Sequence, residues 1–288
     1  MTMSRVSLAT RLDDVQGMIR REPTAAGHRW TLFQLLCVTQ QWERAVQQLQ
    51  VFAQLNPQQV QAAQAYRDLI RAERWRTKVL DGLAQPGFVI GPPSWVENLA
   101  EALRLTAAGQ SDAADAIRES ALDQAPLVRG GGANHSFEWI ADSDSRLGPV
   151  CEIITAGRYR WLPFSDIAAW EIGRPATMVD FVWAPCLLTL VDGATVRGFM
   201  PARFPSVADA TYDSAVLDAL RLGNMTIWTD AGLTGVLAEG RKTWATSAGD
   251  VGLFELDVCT FGCDADRGSV DSVDGMAMQD EGGVDGAA

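Results

Sequence analysis

The sequence predicts a multidomain α and α+β chain: a TPR-like (tetratricopeptide-type) helical repeat domain, then a compact α+β domain with a curved or barrel-like sheet. Three observations predict it. Apolar residues recur at helical spacing up to about residue 125, and short apolar runs separated by turn signals take over beyond residue 132. Between them, Gly130-Gly131-Gly132 marks a shift of composition that reads as a linker. The limits that follow are 1–126 for the helical domain, 133–262 for the α+β domain and 263–288 for an acidic tail.

In chain order, Trp30 to Val38 is apolar enough for a helix buried on most sides. From Gln41 to Leu55, Trp42, Ala45, Val46, Leu49, Phe52 and Ala53 make one apolar stripe at i, i+3, i+4, i+7, i+10 and i+11. Asn56-Pro57 ends that helix, because proline cannot continue it. A helix pair with a bulky Trp, an alanine three residues on and a terminal proline is the pattern of a tetratricopeptide-type unit. A shift of 69 residues, about twice the 34-residue period, lays Ala45 on Ala114 and Pro57 on Pro126. The second pair is therefore Trp95 to Ala107 and Ser111 to Ala125, with one longer helix over Gln58 to Leu83 in between. Stacked helix pairs leave a groove suited to a peptide or an amphipathic helix.

The second part opens with Val150–Thr155, Ala156-Gly157 and Arg158–Leu162, a hairpin with Tyr159 and Trp161 on one face and Arg158 and Arg160 on the other. Cys186–Val191, Asp192-Gly193 and Thr195–Met200 form another, where Asp-Gly favours a type I′ turn. A helix over Tyr212–Leu222 follows, and strands resume at Trp228 and run to Phe261. Beyond Cys263 seven carboxylates stand among Gly, Ser and Met without periodicity, which predicts a disordered segment.

Charge and cysteine usage exclude several classes. The net charge is −12, and residues 1–125 balance at 13 basic against 13 acidic, so no segment carries the basic footprint of a nucleic-acid or anionic-membrane binder. Only Lys78 and Lys242 are lysines; the other basic residues are arginines. Five cysteines at irregular spacing fit buried thiols in a reducing compartment. Met1 to Arg21 has no apolar region of the secretory kind, and the longest apolar stretch, Phe181–Val191, is short of a membrane span, so a soluble cytoplasmic protein is expected.

Catalytic motifs are missing from the sequence: there is no nucleophile elbow, no P-loop and no dinucleotide fingerprint. Cys259-x3-Cys263 has no second pair for zinc, and Cys151 with His135 lacks an orienting third group. One dense stretch, Phe137 to Pro149, carries Asp142, Asp144 and Arg146. One reading is a carboxylate pair held by Arg146 for acid/base chemistry or a cation, which would make the chain an enzyme or a small-ligand protein. The preferred reading is an Asx-turn network in which Asp142 to Ser145 cap loops and Arg146 ties them down.

Trp139 to Pro149, together with Gly157-Arg158-Tyr159-Arg160-Trp161-Leu162-Pro163-Phe164, Asp180 to Pro185, Met200 to Pro205 and Leu32 to Val38, closely resembles the ImpE/TagJ family. These are accessory proteins of bacterial type VI secretion systems, once called SciE-type virulence proteins. The resemblance covers about residues 5–261. It implies a non-enzymatic cytoplasmic adaptor without cofactor or metal. Its implied partners are the N-terminal helix of the small sheath subunit (TssB type) and, directly or indirectly, the ClpV disassembly ATPase. It also marks Trp139, Asp142, Asp144, Arg146, Arg158, Trp161, Trp183 and Arg203 as signature residues with a structural or binding role.

Overall fold

A computed structural model describes residues 6–206 and 212–262; the acidic tail read from the sequence lies outside the described residues. Six helices fill most of the first 124 positions: α1 (Leu8–Arg21), α2 (Ala26–Val38), α3 (Trp42–Leu55), α4 (Val60–Leu80), α5 (Ser94–Ala107) and α6 (Ser111–Gln124). The first of them was not predicted. Its buried residues Leu8, Leu12, Val15 and Ile19 recur at helical spacing, and the Ser7 hydroxyl accepts from the Thr10 amide as N-cap.

The pairs α2–α3 and α5–α6 turn in the same way. Gln40 and Gly109, 69 positions apart, both take positive φ, 58° and 74°. The next amide in each case, Gln41 and Gln110, donates back to Leu36 and Leu105 at 2.8 and 2.9 Å. Ala45 and Ala114 sit buried at equivalent places, small enough to let each pair of helices close.

The strands are β1 (Gly87–Phe88), β2 (Gly130–Gly132), β3 (His135–Phe137), β4 (Ile140–Asp142), β5 (Val150–Thr155), β6 (Arg158–Pro163), β7 (Ile167–Ile172), β8 (Trp183–Leu190), β9 (Thr195–Pro201) and β10 (Arg203–Phe204). After helix α7 (Ser214–Arg221) come β11 (Thr226–Ala231), β12 (Gly235–Arg241), β13 (Thr243–Thr246), β14 (Val251–Gly252) and β15 (Val258–Phe261). Nine of them form one mixed sheet in the order β1-β6-β5-β9-β8-β7-β15-β2-β3, parallel only at β1–β6. Two three-stranded sheets, β10-β12-β11 and β14-β13-β4, complete the fold. Among the described residues the large sheet has two ends and does not close into a barrel.

Two local readings need correction. Gly130-Gly131-Gly132 is strand β2, not a linker: it pairs with β15 on one side and β3 on the other. A Cβ on Gly130 would lie 2.6 Å from the Thr260 carbonyl oxygen, so the run of glycines permits the close approach. At Asp192-Gly193 only the glycine has positive φ, and the Leu190 amide donates to Ala194 at 2.8 Å. The loop is thus three residues closed by the Asp192 carboxylate on the Ala194 amide (2.9 Å), rather than type I′. Both central residues are left-handed instead at Ala156-Gly157, φ 48° and 69°, which is the type I′ requirement.

Alternation assigns the two faces of the sheet. Val150, Ile154, Tyr159, Trp161 and Trp183 join the core of the helices; Cys151, Ile153, Leu162, Ala184 and Leu188 join a second core under the small β14-β13-β4 sheet. There Phe164, Trp170, Trp244 and Phe261 stack with centroids 4.9 to 6.2 Å apart. Glu152 shares its parity with Val150 and Ile154, so a carboxylate is carried into the seam between helices and sheet.

Candidate functional site

That seam holds a cluster of buried charges. From α4, Glu73 and Arg76 sit one turn apart on the face turned to the sheet. From β5 comes Glu152, from the end of β4 Asp142, and from the joint between β12 and β13 Lys242. Arg76 donates through Nε and Nη2 to the two oxygens of Glu152 at 2.6 and 2.9 Å, and through Nη1 to Glu73 at 3.1 Å. The Lys242 ammonium lies 2.5 Å from the second Glu152 oxygen and pairs with Asp142. It also stands over the rings of Phe204 and Trp244, 4.8 and 5.4 Å from their centroids. The Tyr159 hydroxyl donates to Glu152 at 2.6 Å and accepts the Trp161 indole N–H at 2.7 Å; the Trp183 indole donates to Glu73 at 3.2 Å.

A loop on the far side of Asp142 continues the network. The Asp144 amide donates to Asp142 Oδ1 at 3.0 Å, and the Arg146 amide to Asp144 Oδ1 at 3.0 Å, two successive Asx turns. The Arg146 guanidinium returns to Asp144 at 2.5 to 3.1 Å, and the Ala238 amide donates to its Oδ2 at 3.1 Å. The Asx-turn arrangement read from the spacing is therefore formed. Every oxygen of Asp144 is committed to backbone or to Arg146.

Electrostatics follow from the inventory. Four carboxylates (Glu73, Asp142, Asp144, Glu152) face three cations (Arg76, Arg146, Lys242), all buried except Arg146, which is partly open to a cleft. Burial penalises ionised Glu152, but Arg76 and Lys242 outweigh it and hold the carboxyl well below the usual range. Asp142 goes the other way. Burial raises it, Lys242 offsets only part of that, and the neighbouring Glu152 and Asp144 add to the rise, which leaves it pushed up to about 7. Burial disfavours charged Arg76 and Lys242 too, yet their carboxylates raise both above their ordinary values.

The signature residues divide accordingly. Asp142, Asp144, Arg146, Trp161 and Trp183 belong to the cluster or bond to its members. Arg203 is buried nearby and does something different: Nη1 donates to the Val38 and Arg221 carbonyls (2.6 and 2.9 Å) and Nη2 to Cys37 (2.8 Å), closing the C-terminal ends of α2 and α7. Trp139 is half-buried with its carbonyl accepting from Ser247, and Arg158 is exposed at the β5–β6 turn; neither reaches the cluster. Sequence reasoning missed Glu73, Arg76, Glu152 and Lys242. Signals existed: Glu152 interrupts the apolar run of β5, Glu73 and Arg76 fall on the apolar face of α4, and Lys242 is one of two lysines.

Little of this cluster faces a cavity. A cleft of about 670 Å³ between α4–α6 and the β11–β12 hairpin is lined by Ser145 and Arg146, but not by Asp142, Asp144, Glu152 or Lys242. Cys151 is fully buried, and burial raises its thiol well above the ordinary value, opposite to the need of a nucleophile. Among the described residues no group of His, Cys, Asp and Glu is placed to hold a metal ion.

Fold and cluster define a helical part joined through buried ion pairs to an open mixed sheet. The ImpE protein family profile matches residues 134–260. The type VI secretion system accessory component TagJ of Pseudomonas aeruginosa is 39% identical over 252 residues, a match covering 86% of each chain. A crystal structure of a Vibrio parahaemolyticus protein shares the fold with a TM-score of 0.79, over 90% of this chain and 95% of that one at 23% identity. The chain belongs to the ImpE family, that of TagJ.

Proposed function

We propose that this chain is a non-enzymatic accessory protein of a bacterial type VI secretion system. In this reading it works in the cytoplasm, binds the N-terminal helix of the small sheath subunit (TssB type) and links the sheath to the ClpV ATPase. The observation that carries the reading is the 39% identity to TagJ along most of both chains. Stacked helix pairs are a common receiver of amphipathic helices, and no helix among the described residues is long and apolar enough to cross a membrane.

The same geometry weighs against an enzyme or small-ligand protein built on Asp142, Asp144 and Arg146, because the two carboxylates are spent on Lys242, Arg146 and loop backbone.

Affinity purification of the full chain with the small sheath subunit tests the proposal. Retention at micromolar concentration is expected, and it should survive 0.5 M salt, because an apolar helix face supplies the binding and exposed ion pairs are screened there. No binding to the subunit, the assembled sheath or the ATPase overturns it.

A further inference from the structure

Segment by segment the charge of the helical part balances, but the fold does not distribute it evenly. Along the solvent side of α4 stand Arg67, Arg71, Arg74 and Lys78, and the β5–β6 hairpin brings Arg158 beside them. Two acids answer them there: Asp68, 2.9 Å from Arg71, and Glu43, paired with Arg74. Among the described residues Lys78 and Arg158 form no ion pair.

In the middle of this face is Trp75, 46% exposed, its indole N–H held by the Gln85 carbonyl at 3.1 Å. Shallow depressions of about 410 and 400 Å³ flank it, and both are lined by Arg71 and Trp75. A large aromatic held in place and left half open amid excess positive charge fits an acidic peptide containing a few apolar side chains.

The chain itself contains such a peptide. Residues 263–288 carry seven carboxylates against one arginine, with Met276 and Met278 spaced among them. Thioethers pack well on an indole. Extended, a segment of that length reaches up to about 85 Å, several times the radius of gyration of roughly 19 Å expected of a folded chain this long. We propose that the acidic tail, residues 263–288, docks on the basic face of α4 around Trp75 of its own chain. It thereby covers a surface distinct from the Arg76 side of the same helix. The reading goes beyond the adaptor role and does not depend on it.

Lysine scarcity supplies the test. Lys242 is buried, so Lys78 is the one exposed lysine. Zero-length carbodiimide coupling of the full chain, mapped by mass spectrometry, should join Lys78 to a carboxylate within 263–288. The yield should fall severalfold in 0.5 M salt, where the screening length is down to a few ångström, and in the charge-reversed Arg71→Glu/Arg74→Glu chain.

A second measurement needs no crosslink. Acetylation of Lys78 should run severalfold faster when the seven tail carboxylates are changed to amides, or when Trp75→Ala removes the anchor. Mixing isotopically heavy and light chains separates contact within a chain from contact between copies. Coupling of Lys78 only to carboxylates outside 263–288, coupling only between copies, or acetylation indifferent to tail charge would each overturn the proposal.

Discussion

Replacing Arg76 by Met removes a side chain that binds both a helix carboxylate and a sheet carboxylate. Glu152 would keep Lys242 at 2.5 Å and Tyr159 at 2.6 Å but lose two charged hydrogen bonds, and Glu73 would keep only the Trp183 indole at 3.2 Å. Both carboxylates are closed to water, so the loss is not made good by hydration. Breaking one side of a buried pair costs about 3–5 kcal/mol, and the methionine returns part of the stem's apolar contact. A loss of about 3–5 kcal/mol is expected, a large share of a total stability of roughly 5–15 kcal/mol. Urea denaturation of the wild type, Arg76→Met, Glu152→Gln and the double variant measures it, with a coupling energy of at least about 1 kcal/mol expected for groups in contact. Hydrogen exchange adds the spatial test: amides of α4 and of β5–β6 should lose protection together. A loss under about 1 kcal/mol, or exchange changes confined to α4, would refute the idea that this cluster clamps helices to sheet.

Asp142 gives a pH signature. Its folded value near 7 stands above the unfolded 3.8, so the folded state keeps the proton longer, and this contribution to stability declines as pH rises from about 4 to 7. Asp142→Asn should flatten the urea midpoint over pH 5 to 8, and parallel profiles for the two chains would sink the assignment. Asp144→Ala strands the mostly buried Arg146 and the Ala238 amide, so a loss of about 3–5 kcal/mol is expected in thermal or urea unfolding. Arg203→Lys keeps the charge but cannot fork to three carbonyls on α2 and α7. It should lower stability by about 2 kcal/mol and speed amide exchange in the last turn of α2.

How much of this was legible in the sequence depended on the range of the interaction. The stripe of α3, the two helix pairs and the β5–β6 hairpin are set by neighbours within a few residues, and they stand where the periodicity placed them. So does the Asx network, since Asp142, Asp144 and Arg146 satisfy one another two positions apart. Helix α1 carries the same signal, with Leu8, Leu12, Val15 and Ile19 at helical spacing among charged residues. Strand β2 was not legible, because three glycines announce a turn and only pairing with β15 and β3, far off in sequence on one side, makes them a strand. The same holds for the clamp. Arg76, Glu152 and Lys242 meet across separations of 76 and 90 positions, where composition and spacing are silent.

Strand β1 leaves one consequence for how this molecule bears load. It lies between α4 and α5 in the chain, yet it pairs in parallel with β6, Gly87 opposite Arg160 and Phe88 opposite Trp161. The Arg160 guanidinium fastens it further by donating to the Phe88 carbonyl at 2.6 Å. A pull on α5–α6 away from the sheet would therefore have to shear this edge, rather than peel one packed layer from another. With Arg76 anchored in Glu152 just before it in the chain, tension applied to the helices passes directly into the β5–β6 hairpin. The helical repeat and the sheet would then yield as one body, at a single force threshold.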